Sequence, residues 1–132
     1  MTERGVLDTS VFIAAESGRG LAVELLPEES AVSVVTLAEL YAGVLAAQDT
    51  ETRARRLATL DAVSDVEVLD VDAASARVWA QLRVQLAEAG RRLDANDLWI
   101  AASAASRGLP VVTPDDDFDA VEGLAGLVVV RV

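Results

Sequence analysis

Residues 31–45 read AVSVVTLAELYAGVL, and this stretch predicts both kinds of element from which the fold is built. Residues 31–35 form a short, valine-rich apolar run, which is typical of a strand buried on both faces of a parallel sheet. From Leu37 onward, apolar residues recur every three or four positions, as on one face of a helix: Leu37, Leu40, Tyr41, Val44 and Leu45. The stretch therefore predicts a strand followed directly by a helix.

Four other apolar runs have the same character as residues 31–35. They are residues 6–7, 66–69, 109–112 and 127–130. Helical spacing recurs around Leu82 and Ala101, and Gly108 stands where the second of these helices would end. A further helix is expected to open in the polar stretch 49–56. This alternation predicts an α/β sandwich with right-handed crossovers around a mainly parallel sheet.

The composition suits one domain over residues 1–132 and removes several catalytic mechanisms. The chain is 52% hydrophobic and contains no Cys and no His, and all 11 of its basic residues are Arg. These absences exclude a Cys/His zinc site, a Ser-His-Asp triad, and the lysine of a P-loop or a Schiff base. An enzyme of this composition must rely on carboxylates, hydroxyls and arginines, and we expect it to use a metal ion as well.

The net charge of −11 indicates which partners the chain prefers. Taken alone, it argues against binding to a phosphate backbone and favours cations or a basic protein. No stretch approaches the roughly 18 apolar residues that cross a bilayer. We therefore expect no membrane association and a cytoplasmic location.

Acidic residues follow the predicted strands. Asp8 and Asp115 come just after two of them, and Glu39 and Asp97 lie near the starts of two predicted helices. Because parallel strands end at one edge of a sheet, these side chains should converge there. Converging carboxylates repel one another, and a divalent cation relieves that repulsion. The sequence thus predicts a carboxylate site for Mg²⁺ or Mn²⁺.

Each of these acids also has a purely structural interpretation. Residues 36–39 match a Thr-x-x-Glu capping box, and Asp94 can cap the helix that contains Asp97. Thr113 followed by Pro114 looks like the start of a helix, and Asp8 can cap the turn before Val11. Capping explains each acid singly, but it does not require all of them to lie at one edge of the sheet.

Four motifs, in this order and spacing, resemble those of the PIN-domain family, most closely the ribonuclease toxins of bacterial VapBC toxin-antitoxin pairs. The motifs are residues 7–11 (LDTSV), 36–40 (TLAEL), 96–102 (NDLWIAA) and 112–118 (VTPDDDF). The resemblance covers essentially the whole chain. It implies a three-layer α/β/α fold and an endoribonuclease that uses Mg²⁺ or Mn²⁺ to cleave RNA, inhibiting translation and growth.

The resemblance also implies roles for individual residues. The four acids of the family's catalytic and metal-binding site match Asp8, Glu39, Asp97 and Asp115. Asp8 and Asp97 are the best candidates for direct metal ligands. Thr113 matches a hydroxyl that supports the site, and Asp117 matches a further acid sometimes found near the metals. Asp94 is interpreted as a helix cap.

Partners are implied as well. Besides RNA, the resemblance implies a VapB-type antitoxin, whose arginine-bearing segment would suit an acidic pocket, together with a homodimer and a toxin-antitoxin hetero-oligomer. Arg91 and Arg92 precede the acidic motif and are hypothesised to contact RNA. Arg53, Arg55 and Arg56 either line a groove or pair with nearby acids such as Asp49 and Glu51. The larger aromatic residues are expected in the core or a dimer interface: Phe12, Tyr41, Trp79 and Trp99.

Other α/β proteins with acids at strand ends fit less well. A response-regulator receiver needs a lysine, and a haloacid-dehalogenase-type phosphatase needs Asp-x-Asp where this chain has Asp8 followed by Thr9 and Ser10. The alternative that stays open is a catalytically inactive PIN fold that binds RNA or protein.

Overall fold

A computed structural model of the protein describes residues 3–132. Its strands are β1 Arg4–Leu7, β2 Glu29–Ser33, β3 Glu67–Leu69, β4 Val111–Thr113 and β5 Val129–Arg131. Its α-helices are α1 Thr9–Ser17, α2 Val34–Ala46, α3 Thr50–Val63, α4 Ala73–Glu88 and α5 Ala95–Ser106. Short 3₁₀ helices occupy Val23–Leu25, Asp117–Val121 and Leu124–Gly126. All five predicted strands are therefore present.

The five strands form one sheet in the order β3-β2-β1-β4-β5, and every neighbouring pair is parallel. β1 lies at the centre, where Val6 pairs with Ala31 of β2 and with Val111 of β4. Because all strands run the same way, their carboxyl ends share one edge, which is where the acidic residues begin.

Alternate residues of the central strands face two separate hydrophobic clusters. Val6 and Val111 pack with Leu82 of α4 and Ile100 of α5 on one face of the sheet. On the other face, Leu7 and Val112 pack with Val11 of α1 and Val63 of α3. Helices thus cover both faces of the sheet, so the three-layer α/β/α prediction is confirmed.

The junction of β2 and α2 differs from the prediction. The strand ends at Ser33, whose side-chain oxygen accepts a 3.1 Å hydrogen bond from the Val35 backbone N–H and caps α2. Val34 and Val35 are therefore helical, and the capping-box interpretation of residues 36–39 is wrong because Thr36 already lies within the helix. The cap prevails over the preference of valine for strands, since it satisfies a backbone donor at the helix start.

Helix α1 was not predicted, because its apolar residues Val11, Phe12 and Ile13 are consecutive and show no helical spacing. Of the aromatic residues, Phe12 and Trp79 pack against the core, and Trp79 stacks on Trp99 with ring centroids 4.9 Å apart. Tyr41 is 53% exposed, so it lies outside the core, and its place in a dimer interface stays a prediction. No helix within residues 3–132 is long and apolar enough to cross a membrane.

A candidate metal centre at the carboxyl edge of the sheet

Asp8 lies directly after the central strand β1 and is only 4% exposed. Its Oδ2 accepts hydrogen bonds from the Ser10 hydroxyl and, at 3.1 Å, from the Thr113 hydroxyl. Its Oδ1 is buried and has no hydrogen-bond partner among the described residues. Burial raises the pKa of this carboxyl, although the hydrogen bonds from Ser10 and Thr113 oppose the rise. Asp8 stands at the N-cap of α1, yet its side chain caps no backbone N–H there.

Asp97 lies in the first turn of α5 and is partly buried. Burial is the main cause that raises its pKa to about 7, and the negative charges of Asp8, Asp94, Glu39 and Asp117 add to the rise, in that order. The acids that raise this pKa come from four separate parts of the chain. The sequence prediction that carboxylates converge at this edge is thus met by Asp8, Glu39 and Asp97.

Asp97 and the four acids that raise its pKa form the acid cluster: Asp8, Glu39, Asp94, Asp97 and Asp117. Hydrogen bonds fix the positions of two members, Asp94 and Glu39. Asp94 caps α5, where its carboxylate accepts a 3.1 Å hydrogen bond from the Asn96 backbone N–H, as the capping interpretation predicted. Glu39 lies in the second turn of α2, and its Oε1 is 2.8 Å from the Thr9 hydroxyl of α1. The same Thr9 hydroxyl lies 2.9 Å from the buried Thr36 hydroxyl, so it ties α1 to α2 at the site.

Asp115 is placed differently from the other predicted site acids. Its Oδ1 accepts a 2.9 Å hydrogen bond from the Arg19 guanidinium in an ion pair, and its backbone N–H donates to the Thr113 hydroxyl at 3.1 Å. It is not among the main charges that raise the pKa of Asp97, whereas Asp117 is. The helix expected to start at Thr113 and Pro114 is wrong, since Thr113 ends β4 and the 3₁₀ helix begins at Asp117.

Thr113 links Asp8 to Asp115, because its hydroxyl donates to the Asp8 carboxylate and accepts from the Asp115 backbone N–H. Ser10 and Arg19 were not singled out from the sequence as site residues, although both contact a site acid. Ser10 could have been found from its place two residues after Asp8, where a hydroxyl can reach back to a carboxylate. Nothing in the sequence marks Arg19 as the partner of Asp115, which is 96 residues away.

The carboxylates of the acid cluster do not converge on a single point. Within residues 3–132, no three carboxylate side chains are gathered closely enough to hold one metal ion as they stand. The donor set nevertheless fits a hard divalent cation, since it consists of carboxylate oxygens, one of them buried and unpartnered. A bound cation would also neutralise the negative charges that surround Asp97.

The predicted RNA-contacting residues precede Asp94 in the chain. Arg91 and Arg92 are exposed in the loop between α4 and α5, immediately before Leu93 and Asp94. Of the other arginine group, Arg56 lines a cavity together with Thr9 and Glu39, in line with the groove interpretation. Arg53 and Arg56 donate to the backbone carbonyls of Ala47 and Gly43, and no ion pair joins them to an acid in the described chain.

The PIN domain family model matches residues 5–124 of this chain, a span that contains every acid of the cluster. The chain belongs to the PIN domain family.

Similar proteins narrow the family further. The PIN domain is 62% identical over 128 residues to Ribonuclease VapC5 of Mycobacterium tuberculosis, covering 97% of this chain and 95% of that protein. It is 37% identical over 125 residues to the tRNA(fMet)-specific endonuclease VapC of Shigella flexneri, covering 90% of this chain and 92% of that one. These identities place the chain among the VapC ribonucleases.

Solved structures agree with this placement. A crystal structure of VapBC-5, a member of the VapBC family of toxin-antitoxin systems from Mycobacterium tuberculosis, matches with a TM-score of 0.93 and 58% identity, covering 98% of this chain and 99% of that one. The structure of DNA-bound VapBC from Salmonella typhimurium matches with a TM-score of 0.78 and 30% identity, covering 98% and 97%. The PIN fold predicted from the motifs is confirmed.

Proposed function

We propose that this PIN domain is the toxin of a toxin-antitoxin pair, an endoribonuclease that depends on Mg²⁺ or Mn²⁺ and inhibits translation and growth by cutting RNA. The observation that carries the proposal is that Asp8, Glu39 and Asp117 lie near enough to Asp97 for their charges to raise its pKa, while Asp8 keeps a buried, unpartnered oxygen. The ribonuclease names of its relatives support the reaction class.

Asp8, Glu39 and Asp97 are the residues that would hold the cation, and Asp117 and Asp115 stand at its margin. When bound, the divalent ion neutralises charge that builds up on the scissile phosphate and lowers the pKa of water. The sequence offers no histidine or lysine to act as a base. The chain's own contribution is therefore to hold and orient the carboxylates.

Hydroxyl groups orient two of the site acids, Asp8 and Glu39. Ser10 and Thr113 both donate to Oδ2 of Asp8, which leaves Oδ1 as the oxygen available to a ligand. Thr9 holds Oε1 of Glu39 in the same way. At neutral pH a carboxyl with the pKa of Asp97 exists in both protonation states, so its proton leaves readily when a cation binds.

A VapB-type antitoxin is the protein partner that fits this site, and a homodimer that joins it in a hetero-oligomer is the expected assembly. The solved relatives were determined as VapBC complexes. A segment bearing arginine would satisfy the unpaired carboxylates at the sheet edge by charge-assisted hydrogen bonds.

The decisive experiment measures cleavage of RNA by the purified, partner-free protein with Mg²⁺ or Mn²⁺ and with EDTA. We expect cleavage only with the metal, and a loss of about a hundredfold or more for Asp97→Asn. Asp72→Asn is the matched control, because Asp72 caps α4 away from the cluster and asparagine caps equally well. The products should carry 5′-phosphate and 3′-hydroxyl ends, and cyclic phosphate ends would contradict the metal route.

The second candidate is a PIN fold that binds RNA or protein without cutting. It would be favoured if the folded, metal-loaded protein cleaved none of the RNAs offered, whether tRNA, ribosomal RNA or messenger RNA. The retention of all four acids that match the family site argues for catalysis.

A further inference from the structure

A cavity of about 580 Å³ opens between the end of α4 and the start of α5. Three of its lining residues are arginines, and the others are apolar residues or glycine. The lining residues are Arg83, Leu86, Ala87, Gly90, Arg91, Arg92, Leu93 and Leu98. No carboxylate lines the cavity, although the chain has twice as many acidic as basic residues, 22 against 11.

The arginines of this cavity differ from most others in the chain. Four arginines form ion pairs within the described residues: Arg4, Arg19, Arg107 and Arg131. Two more donate to backbone carbonyls, namely Arg53 and Arg56. Five have no side-chain hydrogen bond or ion pair across residues 3–132: Arg55, Arg77, Arg83, Arg91 and Arg92. Three of these five line the one cavity, which is therefore an uncompensated positive site on a strongly negative protein.

The backbone that carries these arginines is fixed by the end of α4. Gly90 has a φ of +66°, and its N–H donates to the Ala87 carbonyl at 3.1 Å. The Arg91 N–H donates to the Leu86 carbonyl at 2.9 Å. Together these bonds form a Schellman motif, which ends the helix in a defined geometry. Arg83 lies on the same face of α4 as Leu86 and Gly90. This face and the turn that ends the helix therefore form one side of the cavity.

The cavity adjoins the acid cluster through the first turn of α5. Leu93 and Leu98 line the cavity, while Asp94 and Asp97, from the same six-residue stretch, contribute negative charge to the cluster. Successive residues of a helix rise about 1.5 Å, so Leu98 of the cavity and Asp97 of the cluster are neighbours along the axis of α5. The short distance suits a polyanion that extends from one site to the other.

We propose that Arg83, Arg91 and Arg92 form a phosphate subsite that binds the RNA backbone at a nucleotide flanking the cleaved bond. The proposal rests on the proposed function, because it takes RNA as the substrate of the neighbouring acid cluster. A guanidinium binds phosphate with two parallel hydrogen bonds, and Leu86 and Leu98 offer an apolar surface to the attached sugar or base. This subsite supplies the attraction for RNA that the net charge of −11 otherwise opposes.

The test measures RNA binding without cleavage. Fluorescence anisotropy of short fluorescein-labelled oligouridylate and oligoadenylate is recorded with the full chain in EDTA over a range of KCl concentrations. On single-stranded RNA each neutralised phosphate contributes about 0.7 to the slope of log K against log salt. We expect Arg91→Ala/Arg92→Ala to lower that slope by about 1.4 and to weaken binding about tenfold, equally for both RNAs because phosphate contacts do not read sequence.

The chain provides matched controls. Arg55→Ala/Arg77→Ala removes two arginines that are equally unpaired but lie outside the cavity, and it should leave the slope unchanged. Arg83→Ala should lower the slope by about 0.7, whereas Arg77→Ala on the same helix should not. Thermal unfolding of each variant verifies that it remains folded.

Several outcomes overturn the proposal. It is wrong if the cavity variants keep the salt slope of the unmodified protein, if the control pair loses as much, or if the unmodified protein binds neither RNA. It is also wrong if the cavity variants bind RNA normally but no longer retain the antitoxin, because the cavity would then be a protein-binding site. Loss of binding in the variants of a protein that cuts no RNA supports the subsite while refuting the nuclease.

Discussion

Two pairs of aspartates stand at helix starts in this molecule and behave in opposite ways. Asp49 and Asp72 cap α3 and α4, and each accepts hydrogen bonds from a backbone N–H and a hydroxyl, which lowers its pKa. Asp8 and Asp97 stand at the starts of α1 and α5, and burial raises the pKa of both. Their side chains cap nothing.

The contrast shows that position at a helix start does not decide what an aspartate does. A carboxylate in water beside free N–H groups is stabilised as an anion, so it stabilises the fold. A carboxylate that is buried and surrounded by other carboxylates is destabilised as an anion, so it costs folding free energy until a cation arrives. The helix-cap acids therefore support the structure, and the acid cluster is maintained at the expense of stability.

The largest effect should appear in the pH dependence of stability without metal. Because the pKa of Asp97 is raised from 3.8 to about 7, the folded protein binds more protons than the unfolded chain between these values. Stability in EDTA should therefore fall as the pH rises from 4 to 7, by about 2 kcal/mol if solvent screens half of the effect. Thermal or urea unfolding at several pH values measures this.

Asp97→Asn isolates the contribution of this group. The variant should lose most of the fall between pH 4 and 7 and should be more stable than the unmodified protein at pH 7 in EDTA. Adding Mn²⁺ should raise the Tm of the unmodified protein and change that of the variant much less. A variant with the same pH profile as the unmodified protein would refute the assignment of the fall to Asp97.

The helix-cap acids should show the opposite sign. Asp72→Ala removes the acceptor of the Ser75 N–H and hydroxyl and should lower the Tm by a few degrees at pH 7. Because the pKa of Asp72 is lowered, its contribution is present above pH 4 and disappears in more acidic solution. RNA cleavage should stay unchanged, and Asp72→Asn should restore the Tm. If Asp72→Ala is fully folded and still cleaves RNA more slowly, Asp72 belongs to the site.

The strands and the convergence of the acids could be predicted because both depend on local sequence. Each strand is a continuous apolar run, and parallel strands bring whatever follows them to one edge. The start of α2 could not be read in the same way. Val34 and Val35 favour strand by propensity, and only the hydrogen bond from the Val35 N–H to Ser33 shows that the helix has begun.

Side-chain partners distant in sequence were beyond such reasoning. The spacing places Asp115 at the sheet edge, which the structure bears out, but not the Arg19 guanidinium that binds it. Arg83 is also separated from Arg91 and Arg92, and the cavity that they share exists only once α4 has ended at Gly90. Tertiary packing, rather than the motif, decides which charges meet.

The smallest effect concerns the two acids at the margin of the cluster. Asp117 raises the pKa of Asp97, whereas the charge of Asp115 is balanced by Arg19 at 2.9 Å. With the dielectric constant of water, an unbalanced carboxylate about 8 Å from a divalent cation contributes on the order of 1 kcal/mol, about fivefold in affinity. Calorimetric titration with Mn²⁺ should therefore show a loss of about fivefold for Asp117→Asn and less than about twofold for Asp115→Asn.

Arg19 provides the control for this comparison. Arg19→Gln should free the Asp115 carboxylate and strengthen Mn²⁺ binding, and the added Asp115→Asn change should then cancel that gain. If Asp115→Asn alone abolished Mn²⁺ binding, Asp115 would be a direct ligand that exchanges Arg19 for the metal. The ion pair would then be a feature of the metal-free protein, and its rupture would be part of metal binding.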